Sequence, residues 1–425
     1  MNILSTMKNM MGRCLLGGVL ISASLMAGAA TVEITAEFKP DPTNPMVNKF
    51  TNTSPPDGYC AGEPAACKAA NIFSLNIPSG FPQTRGGPIK ANHPDQRQGA
   101  YFQVPSDWRS ITVVPDDAGG NPETLEIRIA GIGGRHDLGA SVHDITGGDV
   151  YGHWNLWSSG HWGLTAPAPC RSAGTKVSGG AHFINYMWLV PEGAGVCAPQ
   201  AKFDIPDFHL RFIQFAYELR TPNPLKMRTG RYTGQITYSM GPRGDFDFGD
   251  HVRPNDNSLT LNFVLDVMHE LKVEVPPGGN RIELLPQGGW QAWLNKGRKP
   301  ERLFRDQTFN ISASSRFKMS MECQFKAFDI NSCAVADSEG QIIAGLNVSV
   351  SLPRGLSDAS GRPVERRPLL LDGSGTELFQ PTFYVERKPG TLHFEIPANE
   401  VAEMISPGRP GQYSGNVTVI WDSEV

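Results

Sequence analysis

The side chains with the greatest capacity for chemistry are concentrated in residues 133–164, GGRHDLGASVHDITGGDVYGHWNLWSSGHWGL. This stretch contains four of the ten histidines and three of the eight tryptophans of the chain. If residues 151–157 form a strand, alternate side chains lie on one face, and these are Tyr151, His153, Asn155 and Trp157. Trp154 and Leu156 would then face the core, and a turn at residues 158–160 would return His161 and Trp162 alongside.

Such a face is suited to binding a sugar. An aromatic ring packs on the apolar face of a pyranose, while neighbouring polar groups bond its hydroxyls. We therefore predict a ligand site of Tyr151, His153, Asn155, Trp157, His161, Trp162, Arg135, His136 and Asp137. The alternative interpretation is that the tryptophans fill a core and the histidines lie in loops with satisfied hydrogen bonds.

The same histidines raise the question of a metal, because neutral imidazole is a common ligand for Zn²⁺ or Cu²⁺. The weak candidate set is His136, His153 and His161. No H-x-H or H-E-x-x-H spacing occurs in the sequence, so we predict no metal and no cofactor. The segment DFDFGDH, residues 245–251, superficially suggests Ca²⁺ but lacks the EF-hand spacing. We interpret it as an Asp-rich turn.

Catalysis has little support in the sequence. There is no G-x-S-x-G motif and no metalloprotease motif, so we predict that the protein is not an enzyme. Carboxylate pairs occur by chance in a chain of this size. A secreted carbohydrate-active or metal-dependent β-sandwich enzyme, such as a glycosidase, therefore remains the alternative.

Residues 1–30 are typical of a secretory signal peptide. Lys8 and Arg13 precede an apolar run that is too short to span a bilayer, and small residues follow it. We expect cleavage after Ala29 or Ala30. Removal of the two basic residues leaves 36 Lys and Arg against 42 Asp and Glu, a net charge of about −6. The sequence contains no basic patch of the kind that binds nucleic acid.

Six cysteines remain after removal of the signal peptide, and they form three sequence-local pairs. An even number in an exported protein indicates disulfides. Loop entropy favours the local pairing among the many possible ones, which is Cys60–Cys67, Cys170–Cys197 and Cys323–Cys333. Zinc is the weaker interpretation, because no C-x2-C pair occurs.

The elements that must position these residues are predicted to be strands. Glycine (46) and proline (34) are abundant, and short alternating apolar segments recur, which favours an all-β fold. Residues 182–190 are apolar on both faces, as in a core strand. A phase change within residues 208–219 indicates a β-bulge. One helical turn is predicted at residues 399–404, with Asn399 as its N-cap.

An internal repeat suggests two domains. GRYTGQITYSM begins at Gly230 and GQYSGNVTVIW begins at Gly411, and both combine turn glycines with an alternating strand. After the first copy a further strand follows at residues 258–267, whereas only four residues follow the second copy. We therefore predict domains at residues 31–267 and 268–425, both immunoglobulin-like or jelly-roll-like β-sandwiches, the second lacking its last strand. Val417, Val419 and Trp421 would pair with a strand from another protein.

These features together resemble the two-domain tip adhesins of chaperone–usher fimbriae in Gram-negative bacteria. The similarity lies in FTNTSPPDGYC from Phe50, in GRYTGQITYSMGPRGDFDFG from Gly230, and in the C-terminal YSGNVTVIWDSEV. In this family the cysteines of the pilin domain are usually further apart than Cys323 and Cys333. This departure leaves the strand order of the second domain open.

The resemblance implies an exported protein at the fimbrial tip. Residues 31–267 would be a lectin-like domain that binds a host or surface receptor, expected to be a glycan. Residues 268–425 would be a pilin domain completed by a donated strand. The implied partners are a periplasmic chaperone, an outer-membrane usher and the adjacent pilin subunit. A further alternative is a structural initiator of pilus assembly without receptor binding.

Overall fold

The computed structural model describes residues 29–78, 84–117, 119–174, 178–409 and 411–423. The predicted signal peptide lies outside these residues, apart from Ala29 and Ala30. The described strands of the N-terminal part are β1 (Ala29–Phe38), β2 (Thr51–Asn52), β3 (Phe73–Asn76), β4 (Thr84–Gly86), β5 (Arg109–Pro115), β6 (Glu123–Leu138), β7 (Arg171–Ser172), β8 (Gly179–Gly180), β9 (Phe183–Leu189), β10 (Phe208–Arg220), β11 (Gly230–Ser239) and β12 (Ser258–Val267).

The C-terminal part is also formed by strands, and short helices lie in the connections. Its strands are β13 (Leu271–Glu274), β14 (Leu303–Ala313), β15 (Lys318–Cys323), β16 (Phe325–Lys326), β17 (Cys333–Ala336), β18 (Ile343–Ser351), β19 (Leu356–Asp358), β20 (Arg367–Pro368), β21 (Phe379–Pro381), β22 (Val385–Ile396) and β23 (Val417–Asp422). The helices are α1 (Tyr59–Gly62), α2 (Pro64–Ala70), α3 (Val142–Thr146), α4 (His153–Leu156), α5 (Gln291–Lys296) and α6 (Ala398–Met404), with 3-10 turns at Gln96–Gln98 and Pro224–Lys226. The prediction of an all-β chain is confirmed.

The N-terminal strands form one large sheet with the order β2-β1-β12-β11-β5-β6-β10-β3. In β12, buried and half-buried residues alternate along the whole strand, because successive side chains of a strand point to opposite faces of the sheet. The first strand, β1, runs parallel to β12 from Ala29↔Ser258 to Phe38↔Val267. Strand β11 runs antiparallel along the other edge of β12. The strand that ends this part of the chain is therefore paired on both edges.

The predicted bulge in residues 208–219 is confirmed. The β10–β6 ladder changes register between Leu210 and Phe212, and again between Ala216 and Tyr217. Gly134 lies opposite the first irregularity with a φ of 147°, and a Cβ added there would lie 2.2 Å from the carbonyl oxygen of Phe212. Only glycine fits this close approach without displacement of the backbone.

The buried apolar residues form separate clusters on the two sides of the predicted boundary at residue 267. The larger cluster runs from Ala30 to Val267, and the other from Leu303 to Val401. A small third cluster packs α1 and α2 on the large sheet around Cys60 and Cys67. The assignment of these parts as two domains stays a prediction.

Hydrogen bonds join the two parts at the residues after β12. His269 bonds through Nε2 to the carbonyl oxygen of Met227 at 3.0 Å and through Nδ1 to Ser314 Oγ at 3.1 Å. The Tyr384 hydroxyl lies 2.6 Å from Glu270 Oε2. The ring of Phe38 packs against His269 with its centroid 5.5 Å away. The connection between the two parts is therefore hydrogen-bonded and packed.

The C-terminal strands form two main layers. The larger sheet has the order β13-β14-β22-β18-β17-β16, and β15 pairs with β23 in a separate two-stranded sheet. In an immunoglobulin constant-type sandwich, a four-stranded sheet packs on a three-stranded one. Here β13-β14-β22-β18 correspond to the four-stranded sheet, and β15 and β23 to two strands of the other. These pairings give the strand order of the C-terminal part, which the cysteine spacing had left open.

All three predicted disulfides are confirmed: Cys60–Cys67, Cys170–Cys197 and Cys323–Cys333. The predicted helical turn near the C-terminus is present as α6, but its N-cap is Pro397 and Asn399 lies within the helix. The other short helices were not predicted, because four to seven residues are too few to show a 3.6-residue period. In the part of the chain that the structure describes, no helix has the length and apolar character needed to cross a membrane.

Candidate functional site

The segment predicted to be a ligand-binding strand is helical and looped. Helix α3 is capped by Ser141, whose Oγ accepts from the N–H of Asp144, and it ends at Gly147 with a φ of 68°. A turn at residues 149–152 follows, closed by the hydrogen bond from the N–H of Gly152 to the carbonyl oxygen of Asp149. Helix α4 (His153–Leu156) comes next, and the N–H of Asn155 bonds to the carbonyl oxygen of Gly152. The predicted strand at residues 151–157 is therefore wrong. The glycines favour turns, and these override the alternating pattern.

The turn separates the side chains that a strand would have placed on one face. Tyr151 is 65% exposed and Asn155 is exposed, whereas His153 and Trp157 are buried. Trp154, which we predicted to face the core, is 49% exposed. Leu156 is buried, as predicted. In a helix the i, i+3 and i+4 positions share a face and alternate positions do not. The buried and exposed side chains of residues 151–157 therefore differ from those predicted for a strand.

Trp157, Trp162 and His136 form the centre of a buried aromatic cluster. None of the three is more than 1% exposed. The His136 ring lies 4.4 Å from that of Trp162 and 6.1 Å from that of Trp157, measured between centroids. Tyr186 and Phe208 pack around the same rings. The two tryptophans fill the core, as the alternative interpretation stated, whereas His136 lies on β6 in the same core and not in a loop. Their predicted part in ligand contact is therefore not supported.

The buried histidines are held in the neutral form. Burial lowers the pKa of His136 well below its ordinary value, and it also lowers the pKa of His153 and of His161. His153 bonds through Nε2 to the carbonyl oxygen of Gly180 at 2.8 Å. Both ring nitrogens of His136 lack a hydrogen-bond partner among the described residues. Although the rings of His153 and His161 lie 6.0 Å apart, no group of three metal-ligating side chains occurs in the described ranges.

Arg135 and Asp137 lie on β6 beside His136, but their side chains point to the opposite face of the strand. Arg135 Nε donates to Asp137 Oδ1 at 2.6 Å, and its guanidinium lies 3.8 Å from the centroid of the Phe183 ring. Arg211 reaches the other oxygen of Asp137 at 3.6 Å. This pair is half-buried and is not brought together with residues 151–162 into one site.

The carboxylates of residues 245–251 are engaged by arginines. Asp247, 2% exposed, receives two hydrogen bonds from Arg97 at 2.7 and 3.1 Å. The N–H groups of Arg243 and Gly249 also donate to it. Asp245 is bonded by Arg109 at 2.5 Å. These bonds use the oxygens that a calcium ion would need, and the prediction of an Asp-rich turn is confirmed.

Trp154 is the exposed aromatic residue that the strand hypothesis missed. Its ring lies 5.2 Å from that of His161 between centroids, and a Cβ built on Gly160 would lie 3.4 Å from its Cε3 atom. The ring is thus supported from one side by residues 160 and 161 while half of its surface remains open. Helical spacing between Tyr151 and Trp154 was the available signal, but three residues do not distinguish a turn from a strand.

A second candidate site is the edge of β23. This strand pairs with β15 from Cys323↔Val417 to Lys318↔Asp422, and no strand among the described residues pairs with its other edge. Val417, Val419 and Trp421 pack against the C-terminal cluster but are only half-buried. The equivalent strand of the first repeat, β11, has β5 on one edge and β12 on the other. The second copy therefore lacks the neighbour that the first copy has.

Comparisons with known proteins give distant structural matches. No protein-family model and no curated protein matches the sequence. A chaperone–tip adhesin complex of CFA/I fimbriae biogenesis is 9% identical with a TM-score of 0.25, covering 93% of this chain and 97% of that one. The adhesive subunit of CFA/I fimbria of enterotoxigenic Escherichia coli is 10% identical with a TM-score of 0.24, covering 93% of this chain and 92% of that one.

A third match is the chaperone–tip adhesion subunit pre-assembly complex of the archaic chaperone–usher Csu pili of Acinetobacter baumannii. It is 9% identical with a TM-score of 0.21, and the alignment covers 93% of this chain and 98% of that one. The three alignments span nearly the whole length of this chain and of each matched chain.

Proposed function

We propose that this protein is a surface-attachment subunit of the fimbrial tip-adhesin type. The N-terminal part would bind a receptor, and the C-terminal part would be completed by a strand from another protein. The observation that carries the proposal is the open edge of β23, whose core-facing residues Val417, Val419 and Trp421 remain partly exposed. The paired edges of β11 in the first repeat support the same conclusion.

The energy available at this edge is large. A donated strand that buries four or five apolar side chains would contribute about 1.5–3 kcal/mol for each, or on the order of 6–15 kcal/mol before entropy is subtracted. This range is comparable to the whole stability of a domain, about 5–15 kcal/mol. The C-terminal part would therefore depend on a partner for stable folding.

The proposed partners are those that the resemblance to tip adhesins implies, and they agree with this dependence and with the predicted signal peptide. A periplasmic chaperone would supply a strand first, and an adjacent pilin subunit would replace it at assembly through the outer-membrane usher. The protein would then reach the cell surface at the fimbrial tip. No catalytic role is proposed, since Asp245, Asp247 and Asp250 form ion pairs with arginines and His136, His153 and His161 are buried.

A C-terminal extension tests the strand proposal. Residues 31–425 would be expressed in a periplasm alone, with a turn plus an alternating apolar strand, or with a control extension whose apolar positions are serine. We expect only the apolar extension to give a soluble protein with a cooperative transition of the C-terminal part. Its midpoint would rise by roughly 10 °C or more, as several kcal/mol in a unit of this size imply.

Hydrogen exchange locates the effect. The backbone amides of β23 that point away from β15 are expected to become protected only with the apolar extension, because they then gain acceptors. If the unextended chain is equally soluble and equally stable, and the β23 amides are protected without the extension, the strand proposal is wrong. In that case β23 is an ordinary edge strand that is stable without a donated partner.

A further inference from the structure

We infer that Trp154 and Tyr151 form an aromatic platform for an uncharged pyranoside, with Asp149 and Asn155 as its hydroxyl-binding groups. The inference rests on the proposed attachment function and names the ligand class and its site. The site differs from the predicted one, because its central residue is Trp154, which the sequence pattern placed in the core. Below, these four residues are called the Trp154 platform.

The first supporting observation is the exposure of two aromatic side chains within one short segment. Tyr151 and Trp154 are 65% and 49% exposed, although the neighbouring Trp157 and Trp162 are fully buried. The core next to this segment is already filled with aromatic rings, so the exposed pair is not required for packing. Exposed tryptophan is costly to keep in water and is common where a ring contacts a ligand.

The second observation is that the Trp154 ring is held in place. Residues 160 and 161 support it from one side, with a ring centroid distance of 5.2 Å to His161. His161 is itself 5% exposed, and its Nδ1 accepts from the N–H of Gly163 at 3.2 Å. A ring fixed from behind loses little conformational entropy when a sugar stacks on its open side.

The third observation concerns the two polar members of the Trp154 platform, Asp149 and Asn155, which lie on either side of Tyr151 and Trp154 in the sequence. Asp149 Oδ1 accepts from the N–H of Tyr151 at 2.8 Å, which fixes the carboxylate. Its Oδ2 and the side-chain amide of Asn155 have no hydrogen-bond partner among the described residues. A carboxylate accepts from sugar hydroxyls, and an amide both donates to them and accepts from them. Together they match the vicinal hydroxyls at the edge of a stacked pyranose.

The negative charge near Tyr151 and Trp154 favours a sugar without a negative charge of its own. The exposed carboxylates of Asp144 and Asp149 lie in the same loop region, and no arginine or lysine occurs between residues 136 and 170. A sialylated or sulfated sugar would bring a second negative charge next to the Asp149 carboxylate, which like-charge repulsion disfavours. Two lysines near this segment belong to other segments: Lys90 lines a cavity with Asp144, and the N–H of Lys202 bonds to the carbonyl oxygen of Leu156. We therefore expect neutral hexopyranosides to bind and their anionic derivatives to bind more weakly.

A panel of neutral oligosaccharides, each with its sialylated counterpart, tests the inference on the full chain from residue 31 with the apolar extension. Lactose and 3′-sialyllactose are one such pair. Tryptophan fluorescence titration is the readout, together with immobilised saccharides on an array. Trp154→Ala should weaken neutral-sugar binding by about tenfold or more, as loss of a stacking ring implies. Trp154→Phe should retain part of the affinity.

Phe328→Ala is the matched control, because Phe328 is an exposed aromatic residue (89%) in the C-terminal part. It should bind like the parent protein. Asp149→Asn keeps an oxygen for the N–H of Tyr151 but removes the charge. The ratio of the affinity for neutral sugars to the affinity for sialylated sugars should therefore move closer to one. Unchanged thermal unfolding of each variant would show that the fold is intact.

The outcomes separate this inference from the proposed function. If Trp154→Ala binds sugars as the parent does, the platform is wrong and the attachment function stands. If the parent binds sialylated sugars more tightly than neutral ones, the ligand class is wrong. If the parent binds cells or surface proteins but no saccharide, the sugar inference fails alone. If it binds no surface component at all, receptor binding fails as well, and the structural-initiator alternative gains support.

Discussion

The ring of Phe309 on β14 lies 5.6 Å from that of Trp421 on β23, edge to face, and this pair joins the two layers of the C-terminal part. Phe309 is fully buried, whereas Trp421 is half-buried. The indole Nε1 of Trp421 has no hydrogen-bond partner among the described residues. The aromatic pair therefore marks the place where the core meets the open edge of β23.

Trp421→Ala should lower the free energy of unfolding of the C-terminal part by about 2–3 kcal/mol. This is less than the roughly 3–5 kcal/mol of a fully buried aromatic residue, because part of the ring is exposed. Denaturant unfolding of the strand-extended protein would measure it. The exposed Thr418→Ala serves as control, with a change within about 0.5 kcal/mol. Equal effects of both substitutions would contradict the core-facing role of Trp421.

His136→Phe should make the N-terminal part less sensitive to acid. Burial lowers the pKa of His136 in the folded state, and the nearby His153, His161 and Arg135 act in the same direction. The unfolded chain binds a proton below about pH 6.5 that the folded chain cannot. The stability that His136 contributes is therefore present above this pH and is lost as the pH falls.

The difference between the parent and the variant is the quantity to measure. Between pH 7 and pH 5, the parent should lose up to about 1.4 kcal/mol per pH unit more than His136→Phe. Urea unfolding at each pH, followed by tryptophan fluorescence, gives both curves. His143 is exposed, so His143→Asn should follow the parent. Parallel curves for the parent and His136→Phe would show that His136 is not a buried neutral group.

Removal of the disulfides should destabilise the protein in the order of their loop lengths. Cys170 and Cys197 are 27 residues apart, whereas Cys60 and Cys67 are 7 apart. Loop-closure entropy gives about 3.5 kcal/mol for the longer loop and about 2.4 kcal/mol for the shorter one. Calorimetry of the two double-alanine variants would test the order. A greater loss for the shorter loop would mean that packing around α1 and α2 outweighs the entropy.

Ile330→Asn or Ile330→Gly should stabilise the C-terminal part by about 1 kcal/mol. Ile330 has a φ of 58° and is 75% exposed. A β-branched residue in the left-handed region is strained by roughly 1–2 kcal/mol, while its side chain contributes little burial. Thermal unfolding of each variant would detect the gain. Phe328→Asn, also in this loop but without a positive φ, should give no gain, and a loss for Ile330→Asn would disprove the strain.

Local sequence alone determined several features of this protein. Alternating apolar residues predicted the strands, because one buried face of a sheet requires that period. The short spacing of the cysteines predicted their pairing, since closing a short loop costs little entropy. The repeat at Gly230 and Gly411 indicated which strand is left with an open edge.

The tertiary structure alone decided which aromatic residues reach solvent. Residues 151–157 alternate as a strand would, but turns at Gly147 and Gly152 and the cap of α3 place them in a loop with a single helical turn. Trp157 and Trp162 then pack against rings from strands that are distant in sequence, Tyr186 on β9 and Phe208 on β10, whereas Trp154 is half-exposed. Burial depends on packing across the whole N-terminal part, which no local pattern encodes. For this reason the region of the site was predictable, but its central residue was not.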